Sequence, residues 1–221
     1  TRRVCLGLIQ QGLVTHNVVE VEDPVVLVDT DDLFFTVQGE RWPYHDHAYL
    51  MLHKPAGTEC SQKASLYPSI YTLLPSPLRQ RGGGAAAGVQ AVGRLDQDTT
   101  GLLILSDDGK FIHRLTSPKH HVPKVYEVTT KHPLDASQIE RLVAGVVLDD
   151  DPKPVAAHAA VQTGTHTLTL TLTQGKYHQV KRMLAAVSNR VEGLHRSQIG
   201  SLTLADLPEG AWRWLTPDEV K

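Results

Sequence analysis

The densest run of polar groups in the chain is Gly93-Arg94-Leu95-Asp96-Gln97-Asp98-Thr99-Thr100-Gly101, and it lies between two apolar stretches. A carboxylate held there can serve as a nucleophile or a general base. It can also bind a cation, because Asp96, Asp98, Thr100, Gly101 and Asp107 fall on positions one, three, five, six and twelve of a calcium-loop template. That template fails at its end. Its last position is Asp rather than a bidentate Glu, position nine is Ile104, and Leu102–Leu105 reads as a strand where a loop is required. A purely structural turn, with the acids capping backbone groups, remains open beside the catalytic reading. A second polar group follows helical spacing: His178, Lys181 and Arg182 stand at i, i+3 and i+4 and share one face. They suit an anionic partner, and they equally suit a solvated helix face.

These residues need elements to position them. Thr167–Thr173 alternates leucine with threonine and predicts a strand with one face buried. After Gln174-Gly175 the period changes, and Val180, Met183, Leu184 and Val187 form a buried helical stripe behind the His178–Arg182 face. Further strands are expected at Tyr49–Leu52, Val89–Val92, Leu102–Leu105 and Tyr126–Thr130. Helices are expected after the turn Asp107-Asp108-Gly109, to about Leu115, and over Ala136–Ala144, the latter with Ile139, Leu142 and Val143 on one face. Residues 82–88, Gly-Gly-Gly-Ala-Ala-Ala-Gly, read as a flexible loop. The helices are few and several links are hairpin-short, which favours an α+β fold with a mainly antiparallel sheet.

Residues 1–43 read as a small separate unit, with a helix around Val4–Gln11 and strands at Val18–Val21, Val25–Val28 and Leu33–Val37. A linker is expected over 42–47, and a main domain over 44–221. No stretch approaches the apolar length of a membrane span, and no signal peptide is visible at the start. Cys5 and Cys60 stand far apart without metal-ligand spacing, as expected of reduced thiols. The pairs His120-His121 and His45/His47 lack the further ligands that zinc needs. A formal net charge of −2 argues against a surface coated in positive charge. Two basic segments stand out locally, 110–131 and 174–197, each with five Lys/Arg against one acid. They form a phosphate-binding patch only if the fold brings them together.

Four segments carry a family resemblance. Lys54-Pro55-Ala56-Gly57, Gly93–Leu102, Lys124-Val125-Tyr126 and Gly175–Met183 resemble, in order, the motifs of the pseudouridine synthases that modify ribosomal RNA. The likeness is to the branch that carries an RNA-binding S4 domain in front. Within that branch, Thr116–His121, Tyr177–Met183 and Leu194-His195-Arg196 with Ile199-Gly200 are most similar to the enzymes of small-subunit (16S) rRNA. Residues 1–43 resemble the S4 domain with two departures: its first helix is expected to be missing, and three arginines face seven acids. That segment is therefore expected to dock rather than to grip RNA.

The resemblance implies isomerisation of a uridine without cofactor or metal, by a cytoplasmic, monomeric protein whose partner is small-subunit rRNA. It implies Asp96 as the catalytic carboxylate, adding to a carbon or taking a sugar proton. Lys181 is implied as the cation that keeps it charged against desolvation, with Arg182 in reserve. Tyr126 is implied as a further catalytic residue that packs on the target base and handles the C5 proton, unless it is simply a half-buried core tyrosine. Arg94 fills the space left by the flipped uridine or grips a phosphate, unless it forms a surface salt bridge. Lys54, Lys119, His120 and Lys124 are candidate phosphate contacts, each with a solvated side chain as its alternative.

Overall fold

The computed structural model describes residues 2–79 and 88–221, so most of the glycine-alanine tract at 82–88 lies outside the described residues. The chain divides into two compact units, Thr1–His47 and Ala48–Lys221. The division falls a few residues beyond the expected one, and Trp42 and Pro43, expected in the linker, belong to a strand. Among the described residues, no helix is long and apolar enough to cross a membrane.

In the first unit a helix, α1 (Arg2–Gln10), precedes a four-stranded antiparallel sheet of β1 (Val14–His16), β2 (Val19–Glu20), β3 (Phe34–Val37) and β4 (Glu40–Pro43), in the order β2-β1-β3-β4. Two tight hairpins set its register. Asn17-Val18 and Gln38-Gly39 both take positive φ, the turn whose twist matches that of paired strands. Val18 therefore turns rather than starting a strand. Val25–Val28 is not a strand either. Among the described residues these valines and Leu27 have no ladder partner, and they are exposed, Leu27 almost completely at 97%.

The second unit is built on one sheet, which has nine strands among the described residues. Its strands are β5 (Tyr49–Lys54), β6 (Gln90–Ala91), β7 (Thr100–Ser106), β8 (Lys124–Thr130), β11 (Ala159–Gln162), β12 (Thr167–Leu172), β13 (Val191–Ile199), β14 (Leu202–Thr203) and β15 (Trp212–Trp214). A separate hairpin joins β9 (Val146–Leu148) and β10 (Asp151–Val155). The long path runs β11-β12-β8-β13-β7-β5-β15, with β14 on β13 and β6 on β7. Described pairings in it are antiparallel except β7 with β13. The α+β class with a mainly antiparallel sheet is thus the observed one.

Helices are α2 (Ser76–Arg79), α3 (Gly109–Thr116), α4 (Ala136–Ala144), α5 (Gln179–Ala186) and α6 (Pro217–Val220). The alternation in β12 is realised as expected, with Leu168, Leu170 and Leu172 buried against α5 residues Val180, Met183 and Leu184. The α4 stripe is narrower than its spacing suggests: Leu142 is buried and Ile139 packs on the core, but Val143 is 43% exposed. The rotation of about 100° from Leu142 to the next residue places it beyond the edge of the covered face. Two further cores lie on opposite faces of β5 and β7, one under Leu50, Leu52 and Leu103, the other under Met51, Leu102 and Ile104. Tyr126 packs against both the α4–α5 core and the Leu50–Leu103 core, and so marks the seam between them.

At that seam the parallel pair β7–β13 approaches closely. Gly101 has φ +113, and a Cβ there would stand 2.2 Å from the Arg196 carbonyl oxygen. Only glycine fits both the dihedral and the gap. Gly101→Ala is expected to cost about 3 kcal/mol or more, from strain plus displacement of β13. A urea titration should show the midpoint falling without a matching change in slope.

Candidate active site

The turn between β6 and β7 carries Asp96, and its shape is fixed by backbone bonds from Thr99 N to Asp96 O (3.1 Å) and from Gly57 N to Gln97 O (2.8 Å). Facing it is the first turn of α5. His178 precedes that helix with φ +46, an uncommon conformation for a residue with a side chain. The irregular start swings the His178–Lys181 face onto the Asp96 turn. His178 Nε2 lies 3.2 Å from Asp96 Oδ1, and Lys181 Nζ lies 3.0 Å from Asp96 Oδ2. The same ammonium donates to both carboxylate oxygens of Asp98, at 2.8 and 3.0 Å. Asp96 and Lys181 are each 29% exposed at the side chain, so solvent is largely but not wholly excluded.

Burial alone would lower the Lys181 pKa, but hydrogen bonds to Asp98 and Asp96 outweigh it and hold the ammonium above its ordinary value. Burial likewise opposes ionisation of Asp98, and Lys181 again prevails, so its carboxyl lies below the usual range. The spacing that matched a calcium loop thus serves other ends. Asp98 binds Lys181, Thr100 and Gly101 open β7, and Asp107 accepts from Ala48 N at 2.8 Å.

Beside the turn lies a cleft of about 430 Å³, the open solvent at its mouth included. Asp96, Lys181 and His178 occupy one side of it; Leu95, Leu172, Val180, Leu194 and the half-buried Tyr126 form apolar walls. Arg94 is exposed and also borders the cleft. The structure therefore brings Asp96, Tyr126, Lys181 and Arg94 into one place.

The remaining expected contacts fare differently. Lys54 is a correction: it is fully buried and cannot reach a phosphate. Its ammonium points inward and donates to the carbonyls of Thr99 (2.8 Å), Pro55 (3.0 Å) and Gln97 (3.4 Å). Burial lowers its pKa, yet those three oxygens give it the partners a buried ammonium requires. It is thus a peg beneath the Asp96 turn. Lys124 is half turned in, bonded to Val122 O at 3.0 Å, with its pKa lowered by burial and by Arg196. Arg182 is tied to Asp150 and to Tyr177 O (3.1 Å). Lys119 and His120 are exposed in a 3-10 turn, Pro118–His120, and do not line the cleft. The two basic segments do become neighbours, because β8 and β13 pair, but several of their charges are turned inward or already bound.

Two side chains with a place at the site were not singled out from the sequence for it. His178 was seen only as part of a helical face, and its left-handed backbone, which aims the ring at Asp96, has no sequence signal in a histidine. Tyr177 is 77% exposed and stacks on the His178 ring at 3.8 Å between centroids.

Comparison with known proteins bears on what such a site does. Residues 48–186 match the family model described as RNA pseudouridylate synthase, which covers well over half of the chain. The chain belongs to this family. The relative named ribosomal small subunit pseudouridine synthase A from Pasteurella multocida is 39% identical over 223 residues, spanning 100% of this chain and 92% of its own. The protein of the same name from Escherichia coli is 42% identical over 178 residues, 80% of this chain and 74% of its own. A crystal structure of a pseudouridylate synthase is similar at a TM-score of 0.72 and 36% identity, covering 100% of this chain and 92% of that one. The cleft beside Asp96 lies within the fold that this synthase family shares, and most of its lining falls inside the matched segment.

The geometry separates two kinds of lysine in the synthase. Lys181→Met is expected to reduce pseudouridine formation by about 10²–10³-fold, because it removes the cation beside the carboxylate. Asp98→Asn, which loosens that cation without removing it, should cost roughly tenfold. Single-turnover rates would check both. Lys54→Met should instead act on stability. It leaves buried carbonyls unpaired and is expected to cost about 2–4 kcal/mol in a thermal or urea melt.

Proposed function

We propose that this synthase isomerises one uridine of small-subunit ribosomal RNA to pseudouridine, with Asp96 as the reacting carboxylate. The observation that carries the reading is the Asp96 carboxylate, held from two sides by Lys181 and His178 at the edge of a cleft walled by Tyr126. The names of the relatives from Pasteurella multocida and Escherichia coli support the small ribosomal subunit as the source of the RNA.

The chemistry breaks the bond from ribose C1′ to uracil N1 and makes one from C1′ to C5. The proton on C5 is lost and N1 gains one, so atoms balance without oxidant, reductant or water. No cofactor is needed for that balance. Asp96 either adds to a carbon or takes a sugar proton, and its fixed orientation serves both. The uridine must leave its stack to enter the cleft, at a cost of a few kcal/mol. Tyr126 offers a ring on which the base packs, and Arg94 at the rim stands where it can fill the vacated stack or hold a phosphate. Lys119, His120 and Lys124 approach the RNA backbone outside the cleft, and Arg182 supports the start of α5. The acidic first unit resembles an S4 domain and acts as a docking lobe. The protein works as a monomer in the cytoplasm, where ribosomal subunits assemble.

Tritium release from unmodified small-subunit rRNA labelled at uracil C5 tests the proposal. The wild type should release tritium, and Asp96→Asn should lower the rate by at least about 10³-fold while keeping RNA affinity. Binding without release by the wild type, on naked RNA and on assembling particles, would make the protein an RNA-binding factor rather than an enzyme.

A further inference from the structure

Two buried side-chain polar atoms have no hydrogen-bond partner among the described residues, Thr99 Oγ1 and Arg196 Nη2. Arg196 is the cross-strand neighbour of Tyr126 but does not line the cleft. Thr99 does line it, and is only 1% exposed. Its main chain is tied on both sides: the amide donates to Asp96 O at 3.1 Å, and the carbonyl accepts from Lys54 Nζ at 2.8 Å. The residue is therefore held in place while its hydroxyl bonds to nothing described in the protein.

A buried hydroxyl without a partner lowers stability, and native structures rarely retain one without use. The walls near it, Leu95, Leu172, Val180 and Leu194 with the Tyr126 ring, suit the faces of a flat base. These apolar walls offer nothing to the polar edge of that base, and of the polar lining Gln179 is already bonded to Lys176 N at 2.8 Å. Uracil presents an N3–H donor between two carbonyl acceptors, O2 and O4. A threonine hydroxyl both donates and accepts, so it can meet that edge.

We infer that Thr99 Oγ1 hydrogen-bonds the O2–N3–O4 edge of the flipped uracil and fixes the base in the cleft; this rests on the proposed isomerisation. The reaction gives that contact a second use. Once C1′–N1 is broken, the base must present C5 to the sugar. A half-turn about the line through N3 and C6 exchanges N1 with C5 and O2 with O4, and leaves N3–H in place. The edge pattern after the turn equals the pattern before it. One hydroxyl thus holds the base at the start and at the end of its rotation. Thr99 is a specificity-determining and positioning group, and Asp96 remains the reacting one.

The test compares Thr99→Val, which keeps shape and removes the hydroxyl, with Thr99→Ser, which keeps the hydroxyl. The readouts are tritium release from C5-labelled small-subunit rRNA and the thermal midpoint of the protein. Thr99→Val is expected to lower kcat/KM by about tenfold or more, the value of one well-placed hydrogen bond. Its midpoint should stay equal or rise, since an unpartnered hydroxyl has been replaced by a methyl. Thr99→Ser should recover most of the lost rate. Wild-type kinetics in Thr99→Val would overturn the inference, as would an equal loss in both variants or a loss that tracks a fallen midpoint. No release by the wild type would instead overturn the isomerisation itself, and the inference with it.

Discussion

The Lys181 ammonium sits between two carboxylates, and the arrangement of the site depends on that shared charge. Asp96 and Asp98 lie two residues apart on a turn, so their side chains would repel one another if left alone in a partly desolvated cleft. A single cation bound to both removes the repulsion and ties the turn to α5, more than eighty residues away in the chain. Partial burial makes the attraction stronger than it would be at the surface, and it makes loss of either partner costly. The left-handed start of α5 at His178 is part of the same constraint. It directs a second nitrogen onto Asp96 and leaves that carboxylate little freedom.

Beneath this pair, the sheet supplies rigidity by close approach rather than by bulk. Gly101 lets β7 and β13 run side by side at the one parallel joint of the described sheet. Lys54, buried one strand over, satisfies three carbonyls of the loops that carry the site. Both residues belong to motifs that resemble catalytic ones, and neither lines the described cleft. Their role is to hold a polar turn against an apolar sheet without leaving backbone oxygens unpaired. The same packing leaves Thr99 fixed and its hydroxyl unused, a combination that a purely structural turn would not favour.

Much of the frame was legible because it rests on periodicity. The leucine-threonine alternation of β12, the Val180–Val187 stripe and the α4 bounds follow from local spacing, and the structure keeps them. Val25–Val28 misled for the same reason: apolar and β-branched residues suggest a strand, but a strand exists only where a partner edge is free to pair. Val143 shows the limit on helices, since spacing defines a stripe but not how wide a neighbouring element covers it. The Asn17-Val18 turn was hidden because a valine gives no signal for positive φ.

At the site, the resemblance to the synthase family implied Asp96, Tyr126, Lys181 and Arg94, because the family's motifs are recognised from residue order without coordinates. Sequence alone also determined that the frame is α+β, since strand and helix periods are local properties. Only the tertiary structure decided which cations face solvent. Lys54 looked like a phosphate ligand in a basic context, but the direction of a strand side chain depends on which sheet face it joins and on what covers that face. It alone placed His178 on Asp96 and left Thr99 Oγ1 without a partner among the described residues, because both facts depend on segments far apart in the chain. Side-chain identity sets what a group can do; packing sets whether it is free to do it.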